Sequence, residues 1–167
     1  DSQDICFVTN GDYGDFLEKF RGKPYPGGDF VDENGKKLGE HRGTVRYTIG
    51  QRKGLGLSLK KPMYVSGKNI EKNQVILSDK EGIYFEGLLA NDFNWISLPP
   101  TGERTVEAKT RYNGKAVPAI VSVRENGEVF LRFPEKERAV TKGQAVVLYD
   151  GDLVLGGGTI VEGYKKL

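Results

Sequence analysis

Asn-Gly and Asp-Gly pairs punctuate this chain at Asn10-Gly11, Asn34-Gly35, Asn113-Gly114, Asn126-Gly127 and Asp150-Gly151. Such pairs accept the positive-φ turns that join neighbouring antiparallel strands. The segments between them are short and rich in β-branched and aromatic residues. Glycine supplies 23 of 167 residues, roughly twice the ordinary share of about 7%. Long helices are therefore disfavoured, and the spacing predicts a mainly β protein whose C-terminal half is a small antiparallel barrel.

Only one helix is expected. Asp12 is a suitable N-cap, Phe16, Leu17 and Phe20 form an apolar stripe, and Gly22 and Pro24 end it. Pro24-Tyr25-Pro26-Gly27-Gly28 reads as a rigid connector. Alternation of Val45, Tyr47 and Ile49 favours a strand, with a helical turn as the alternative. Residues 64–70 and 74–78 read as a hairpin around Glu71-Lys72-Asn73. Further strands are expected over 105–112, 116–124, 129–133, 144–149 and 153–161. The expected organisation is an N-terminal segment with a short helix (1–24), a small central β-rich domain (25–87) and a barrel (88–167).

One cysteine rules out an internal disulfide, and one histidine argues against a His-rich metal centre. No metal site is expected. No apolar run reaches the roughly 18 residues of a membrane span, and no secretory signal is visible, so the expected location is the cytoplasm. Residue 1 is Asp and the single methionine is Met63, which points to a piece of a longer protein.

The formal net charge of +2 conceals a segregation. Residues 1–35 carry 3 basic and 8 acidic side chains, whereas residues 36–61 carry 8 basic and only Glu40 as an acid. A local positive field of this kind favours polyanions, RNA among them, through counterion release. The opposing reading is a solvated surface that pairs with the acidic segment beside it.

Three groups of residues carry possible chemistry. Cys6, between Ile5 and Phe7, is either a small buried hydrophobe or a reactive thiol activated by a cation or a helix N-terminus. Gly39-Glu40-His41-Arg42-Gly43 precedes Tyr47-Thr48-Ile49-Gly50-Gln51-Arg52-Lys53-Gly54-Leu55-Gly56. There the glycines allow close backbone approach, and Gln51, Arg52 and Lys53 can donate to phosphate or support an active site. His41 alone reads more simply as a structural hydrogen-bonding group. In the barrel, Arg111 beside Tyr112 can contact phosphate and stack on an unpaired base. The competing reading is an aromatic pair with a surface charge. Gly156-Gly157-Gly158 reads as a bulge or a close-packed strand.

Taken together, these residues resemble the tRNA-specific 2-thiouridylase family. The resemblance rests on Ser2-x-x-Ile5-Cys6-Phe7, the Gly39 and Tyr47 motifs, Lys109-x-Arg111-Tyr112, Gly143-Gln144-x-x-Val147-x-Tyr149-x-Gly151 and Leu155-Gly156-Gly157-Gly158. It runs through essentially the whole chain in order. One departure is Lys142, where the family pattern has proline.

The resemblance implies a central β-rich domain and a barrel like those of translation elongation factors. It also implies an N-terminal ATP-pyrophosphatase domain, whose Ser-Gly-Gly-x-Asp-Ser loop does not occur in these 167 residues. ATP and Mg are accordingly implied for the longer enzyme and not for this stretch, which should be inactive alone. By the same resemblance the activity is 2-thiolation of the wobble uridine of tRNA through a cysteine persulfide. Cys6 would carry the persulfide, and Arg111, Tyr112 and Gln144 would contact tRNA. A sulfur-donor protein, a cysteine desulfurase or a sulfur relay, is an implied partner. The alternative is a non-catalytic RNA-binding β-barrel module in which Cys6 has no role.

Overall fold

The computed structural model describes residues 13–167, with the side chain of Tyr13 outside the description. The expected N-cap Asp12 and the candidate Cys6 lie outside the described residues. Among the described residues the fold is mainly β, with one α-helix, and the chain divides into two compact units at Gly82/Ile83. A boundary near residue 88 would fall inside a strand that runs over Tyr84–Trp95.

In the first unit the helix α1 (Tyr13–Arg21) ends at Gly22, whose φ of 73° suits the left-handed stop only glycine adopts cheaply. Strands β1 (Gly28–Asp32) and β2 (Lys37–His41) form a hairpin. At its turn the Asp32 carboxylate accepts the Asn34 and Lys36 amides, each at 2.9 Å, and Gly35 takes φ 81°. Strands β3 (Tyr64–Asn69) and β4 (Gln74–Ser78) form a second hairpin. The two hairpins join through parallel pairing of β1 with β4, giving the sheet order β2-β1-β4-β3. Phe30, Val65, Val75 and Leu77 are fully buried beneath it, with Tyr47, Leu55 and Met63 closing the core.

The alternation at Val45, Tyr47 and Ile49 does not become a strand. Thr44–Arg46 form a 3-10 turn, and Tyr47 is extended but unpaired. Tyr47 and Ile49 still pack on the core, and pairing with β3 comes only after them, where the Gly50 amide donates to the Val65 carbonyl and the Gln51 carbonyl accepts the Val65 amide.

The second unit is a closed six-stranded barrel, β10-β5-β8-β7-β6-β9, in which every neighbouring pair is antiparallel. Its strands are β5 (Tyr84–Trp95), β6 (Arg104–Lys109), β7 (Val117–Val123), β8 (Val129–Arg138), β9 (Ala145–Asp150) and β10 (Leu153–Tyr164). Inward residues alternate along β6, β7 and β9, as Val146 and Leu148 do on β9. Leu88, Leu131, Leu148, Val129 and Ile160 fill the interior with no exposure at all. Closure removes free sheet edges, which is what makes so short a set of strands self-sufficient.

The glycine triplet lies within β10 between β5 and β9. A Cβ at Gly156 or Gly158 would stand 2.6 Å from the Asn94 or Asn91 carbonyl oxygen, and the register slips between Gly157 and Thr159. The glycines are there because neighbouring backbone leaves no room for a side chain, together with a bulge. Strand β6 stops at Lys109, so Thr110, Arg111 and Tyr112 stand in the following loop and not on a strand. The Gly114 amide closes that loop on the Arg111 carbonyl at 3.0 Å.

Candidate nucleic-acid interface

Two surfaces carry the residues singled out from the sequence, one in each unit. In the first, the acidic N-terminal part neutralises some of the basic segment. Arg46 Nη2 meets Asp15 at 2.6 Å and Glu18 at 3.0 Å, both on α1. Lys37 meets Asp29 at 2.7 Å and Glu40 at 2.9 Å. These bonds, that to Asp29 foremost, hold the Lys37 ammonium above its usual pKa. Lys61 lies 3.8 Å from Asp79. Lys36, Arg42, Arg52, Lys53 and Lys60 have no ion-pair partner among the described residues. The segment is therefore partly paired with the acidic residues beside it and partly unneutralised.

His41 is structural. It is buried, its Nδ1 accepts the Gly43 amide at 3.0 Å, and its Nε2 lies 3.1 Å from the Asn73 carbonyl. An accepting Nδ1 fixes the proton on Nε2, which then donates to Asn73. Phe30 and Tyr47 meet its ring edge-on. Burial lowers its pKa. His41 thus shapes the β2 exit and offers no exposed acid or base, while its neighbours Glu40 and Arg42 face solvent.

Gln51 is also partly committed. Its Oε1 accepts the Thr48 amide at 2.9 Å and its Nε2 donates to the Lys53 carbonyl at 3.0 Å, while its backbone carbonyl takes the Val65 amide at 2.9 Å. Gln51 therefore staples the glycine-rich loop, and Arg52 and Lys53 are exposed at its tip. Gly54 and Gly56, at φ 74° and 70°, supply the left-handed turns that the loop needs.

In the barrel, register brings the remaining candidates together. Lys109 at the end of β6 faces Val147 near the start of β9. The 110–116 and 139–144 loops therefore leave the same rim, and Arg111, Tyr112 and Gln144 share it. Tyr84, at the start of β5, pairs with Arg138 at the end of β8 on this rim too. Tyr112 is 74% exposed, with the Lys109 ammonium 5.8 Å from its ring centre. Gln144 is exposed while its backbone is held: its amide donates to Thr141 at 3.2 Å, and its carbonyl accepts from Ile160 at 2.8 Å. The Thr141–Gln144 turn has Gly143 at φ 84°, the third-position glycine of a type II turn. Proline is favoured at the second position of that turn, and Lys142 occupies it without disturbing the hydrogen bond.

Arg111 is half committed. Its Nη2 lies 3.6 Å from Glu137, whose side chain is only 12% exposed, and its Nε is buried without a partner. Thr110, itself buried, donates to the same carboxylate at 3.1 Å. The Arg111 side chain as a whole is 38% exposed.

The two ends of the barrel differ in charge. The rim just described carries Lys109, Arg111, Lys115, Lys136, Arg138, Lys142, Lys165 and Lys166 against Glu86, Glu135, Glu137 and Glu162. At the opposite rim stand Glu103, Glu125, Glu128, Asp150 and Asp152, with Arg104 and Arg124. Arg104 is taken by Asp150 and Arg124 by Glu128. Only the first rim offers a polyanion an attractive approach. The common rim was not legible in the sequence, because it depends on which strands are neighbours.

Among the described residues no group of three or more His, Cys, Asp or Glu side chains is placed to hold a metal ion, and no helix is long and apolar enough to cross a membrane.

Comparison with known proteins follows the two units. Residues 14–79 match the tRNA methyl transferase PRC-barrel domain family, and residues 85–160 match the aminomethyltransferase beta-barrel domain family. The chain is 49% identical over 161 residues to the tRNA-specific 2-thiouridylase MnmA of Acetivibrio thermocellus, covering 96% of this chain and 45% of that protein. It is 48% identical to the protein of the same name from Carboxydothermus hydrogenoformans, covering 96% and 44%. For that of Clostridioides difficile the identity is 45%, covering 96% and 45%. The chain thus spans less than half the length of these relatives. With both of its units matched in order and its identity to them sustained across 96% of its residues, the chain belongs to the tRNA-specific 2-thiouridylase MnmA family.

Proposed function

We propose that this chain is the sulfur-carrying and tRNA-holding portion of an enzyme that replaces the 2-oxygen of the wobble uridine in tRNA with sulfur. The observation that carries the reading is the single cationic barrel rim, which holds Arg111, Tyr112 and Gln144 together and faces away from the acidic end. Arg111 would meet phosphate, Tyr112 would stack on an unpaired base, and Gln144 would hydrogen-bond RNA. Arg52 and Lys53, exposed at their loop tip, would add backbone contacts, with Gln51 shaping the loop.

Cys6 is the proposed persulfide carrier. Adenylation of the uridine 2-oxygen, by ATP bound to a domain outside these residues, makes that oxygen a leaving group. The terminal sulfur of the Cys6 persulfide would bond to C2 as the adenylate leaves with the oxygen. A second thiol, outside this chain, would then attack the Cys6 sulfur. The sulfur–sulfur bond breaks, a disulfide forms, and the sulfur stays on the base. The target base must leave its stack to be reached. A dithiol reductant returns that disulfide to two thiols, a sulfur-donor protein then passes its persulfide sulfur to the Cys6 thiolate, and the cytoplasm is the proposed location.

The test is Cys6→Ser in the full-length protein that carries this chain. Thiolation of tRNA should be abolished while folding stability stays within about 1 kcal/mol of the parent, as for a substitution outside a packed core. Retained thiolation would leave only the non-catalytic RNA-binding role. The 167-residue chain alone should bind tRNA without thiolating it.

A further inference from the structure

We infer that Glu137 is a positioning residue for RNA binding, setting the conformation from which Arg111 and Tyr112 are presented. This rests on the reading that the cationic rim binds tRNA. Glu137 stands one residue before the end of β8, on a neighbouring part of the rim, and its carboxylate turns inward. It accepts the hydroxyl of buried Thr110 at 3.1 Å and lies 3.6 Å from Arg111 Nη2. One largely enclosed acceptor, 12% exposed, therefore holds two consecutive residues just past the end of β6, directly before exposed Tyr112.

The chemistry asks for such a clamp. The loop has no regular structure beyond the Gly114-to-Arg111 hydrogen bond. Without Glu137 the Thr110 hydroxyl would be buried with no acceptor, a cost the loop relieves by shifting. A shift at Thr110 moves both Arg111 and Tyr112. The same carboxylate also opposes phosphate, because it offsets the Arg111 charge. Position and charge therefore pull in opposite directions, and two variants separate them. Glu137→Gln keeps an acceptor for Thr110 and removes the negative charge. Glu137→Ala removes both.

The experiment measures binding of unmodified tRNA to the 167-residue chain as a function of salt, for the parent and five variants. Arg111→Ala tests the underlying reading; if it changes neither affinity nor salt dependence, that reading fails at this residue and the role of Glu137 fails with it. Given an effect of Arg111→Ala, the clamp requires Glu137→Ala to weaken binding about three- to tenfold, the scale of one lost hydrogen bond. Glu137→Gln must bind at least as tightly as the parent, with no shallower salt slope. The double variant Glu137→Ala/Arg111→Ala must bind no more weakly than Arg111→Ala by more than the contribution of Tyr112, read from Tyr112→Ala. Equal losses for Glu137→Gln and Glu137→Ala, or unchanged binding in Glu137→Ala, would overturn the inference while leaving the tRNA reading in place. If Glu137→Ala does not fold, Thr110→Val replaces it: it removes the donated hydroxyl at nearly constant shape, and a loss of RNA affinity is required.

Discussion

His41 and Asn73 are joined across the first unit: the imidazole Nε2 donates to the Asn73 carbonyl at 3.1 Å, while Asn73 Nδ2 donates to the Gly27 carbonyl at 2.7 Å. A single asparagine thus ties the end of β2 and the entry to β1 to the β3–β4 turn. Asn73 itself takes φ 48°, in the left-handed region where asparagine is among the better-tolerated residues.

The burial of His41 in this arrangement makes the first unit acid-sensitive. Burial is the main cause of the lowered His41 pKa, and nearby Lys68 acts the same way. The Asn73 hydrogen bond and Asp29 oppose it without reversing it. The folded state therefore binds fewer protons than the unfolded one. Stability from this group is present above the unfolded value of about 6.5 and is lost as pH falls below it. Urea unfolding of the chain at pH 7.5, 6.5 and 5.5 should show a falling midpoint, and His41→Asn should flatten that fall. An equal fall in the variant would assign the sensitivity elsewhere.

Arg46 anchors the short helix. Nine residues are too few to hold a helix in water without tertiary support. Arg46 supplies that support through Asp15 and Glu18, and its Cγ would stand 2.6 Å from a Cβ at Gly14. Arg46→Ala should speed amide hydrogen exchange in residues 16–21 by roughly an order of magnitude, equivalent to about 1.4 kcal/mol. Gly14→Ala should do so too, by displacing Arg46. Protection unchanged in both would show that the helix is held by something else.

The barrel core is tight enough to report a lost side chain. Leu131 on β8 has no exposed surface and packs within the central cluster. Leu131→Ala should cost about 2–5 kcal/mol, measured by urea unfolding. Phe20, 85% exposed on α1, is the contrast. Phe20→Ala should change stability by less than about 0.5 kcal/mol.

How much of this could be read from the sequence depended on locality. The Asn34-Gly35, Asn126-Gly127 and Asp150-Gly151 turns fall where the pairs predict them, with glycine φ values of 81°, 83° and 58°. Turn chemistry is encoded in adjacent residues, so it is legible. Strand β5 was harder. It contains Asn91 and Asp92, residue types more usual in turns, and Asp92 takes φ 49°. Pairing with β8 and β10 carries the strand through that point. The parallel pairing of β1 with β4 joins residues more than forty positions apart and leaves no local trace. For the site, residue types suggested Arg111, Tyr112 and Gln144, but their common rim follows only from the β6–β9 register. Glu137 gave no signal at all. An acidic residue in a charged run is unremarkable until its burial and its two partners are seen.

The account depends most directly on which end of the barrel meets RNA. The decisive measurement is the salt dependence of tRNA binding to the chain, compared for Arg111→Ala on one rim and Arg104→Ala on the other. Removing a phosphate contact should reduce the slope of log affinity against log salt by about 0.7 to 0.9. The expected result is that loss for Arg111→Ala and none for Arg104→Ala. An unchanged slope for Arg111→Ala, or the same loss in both variants, would contradict the assignment of the cationic rim as the RNA-binding surface.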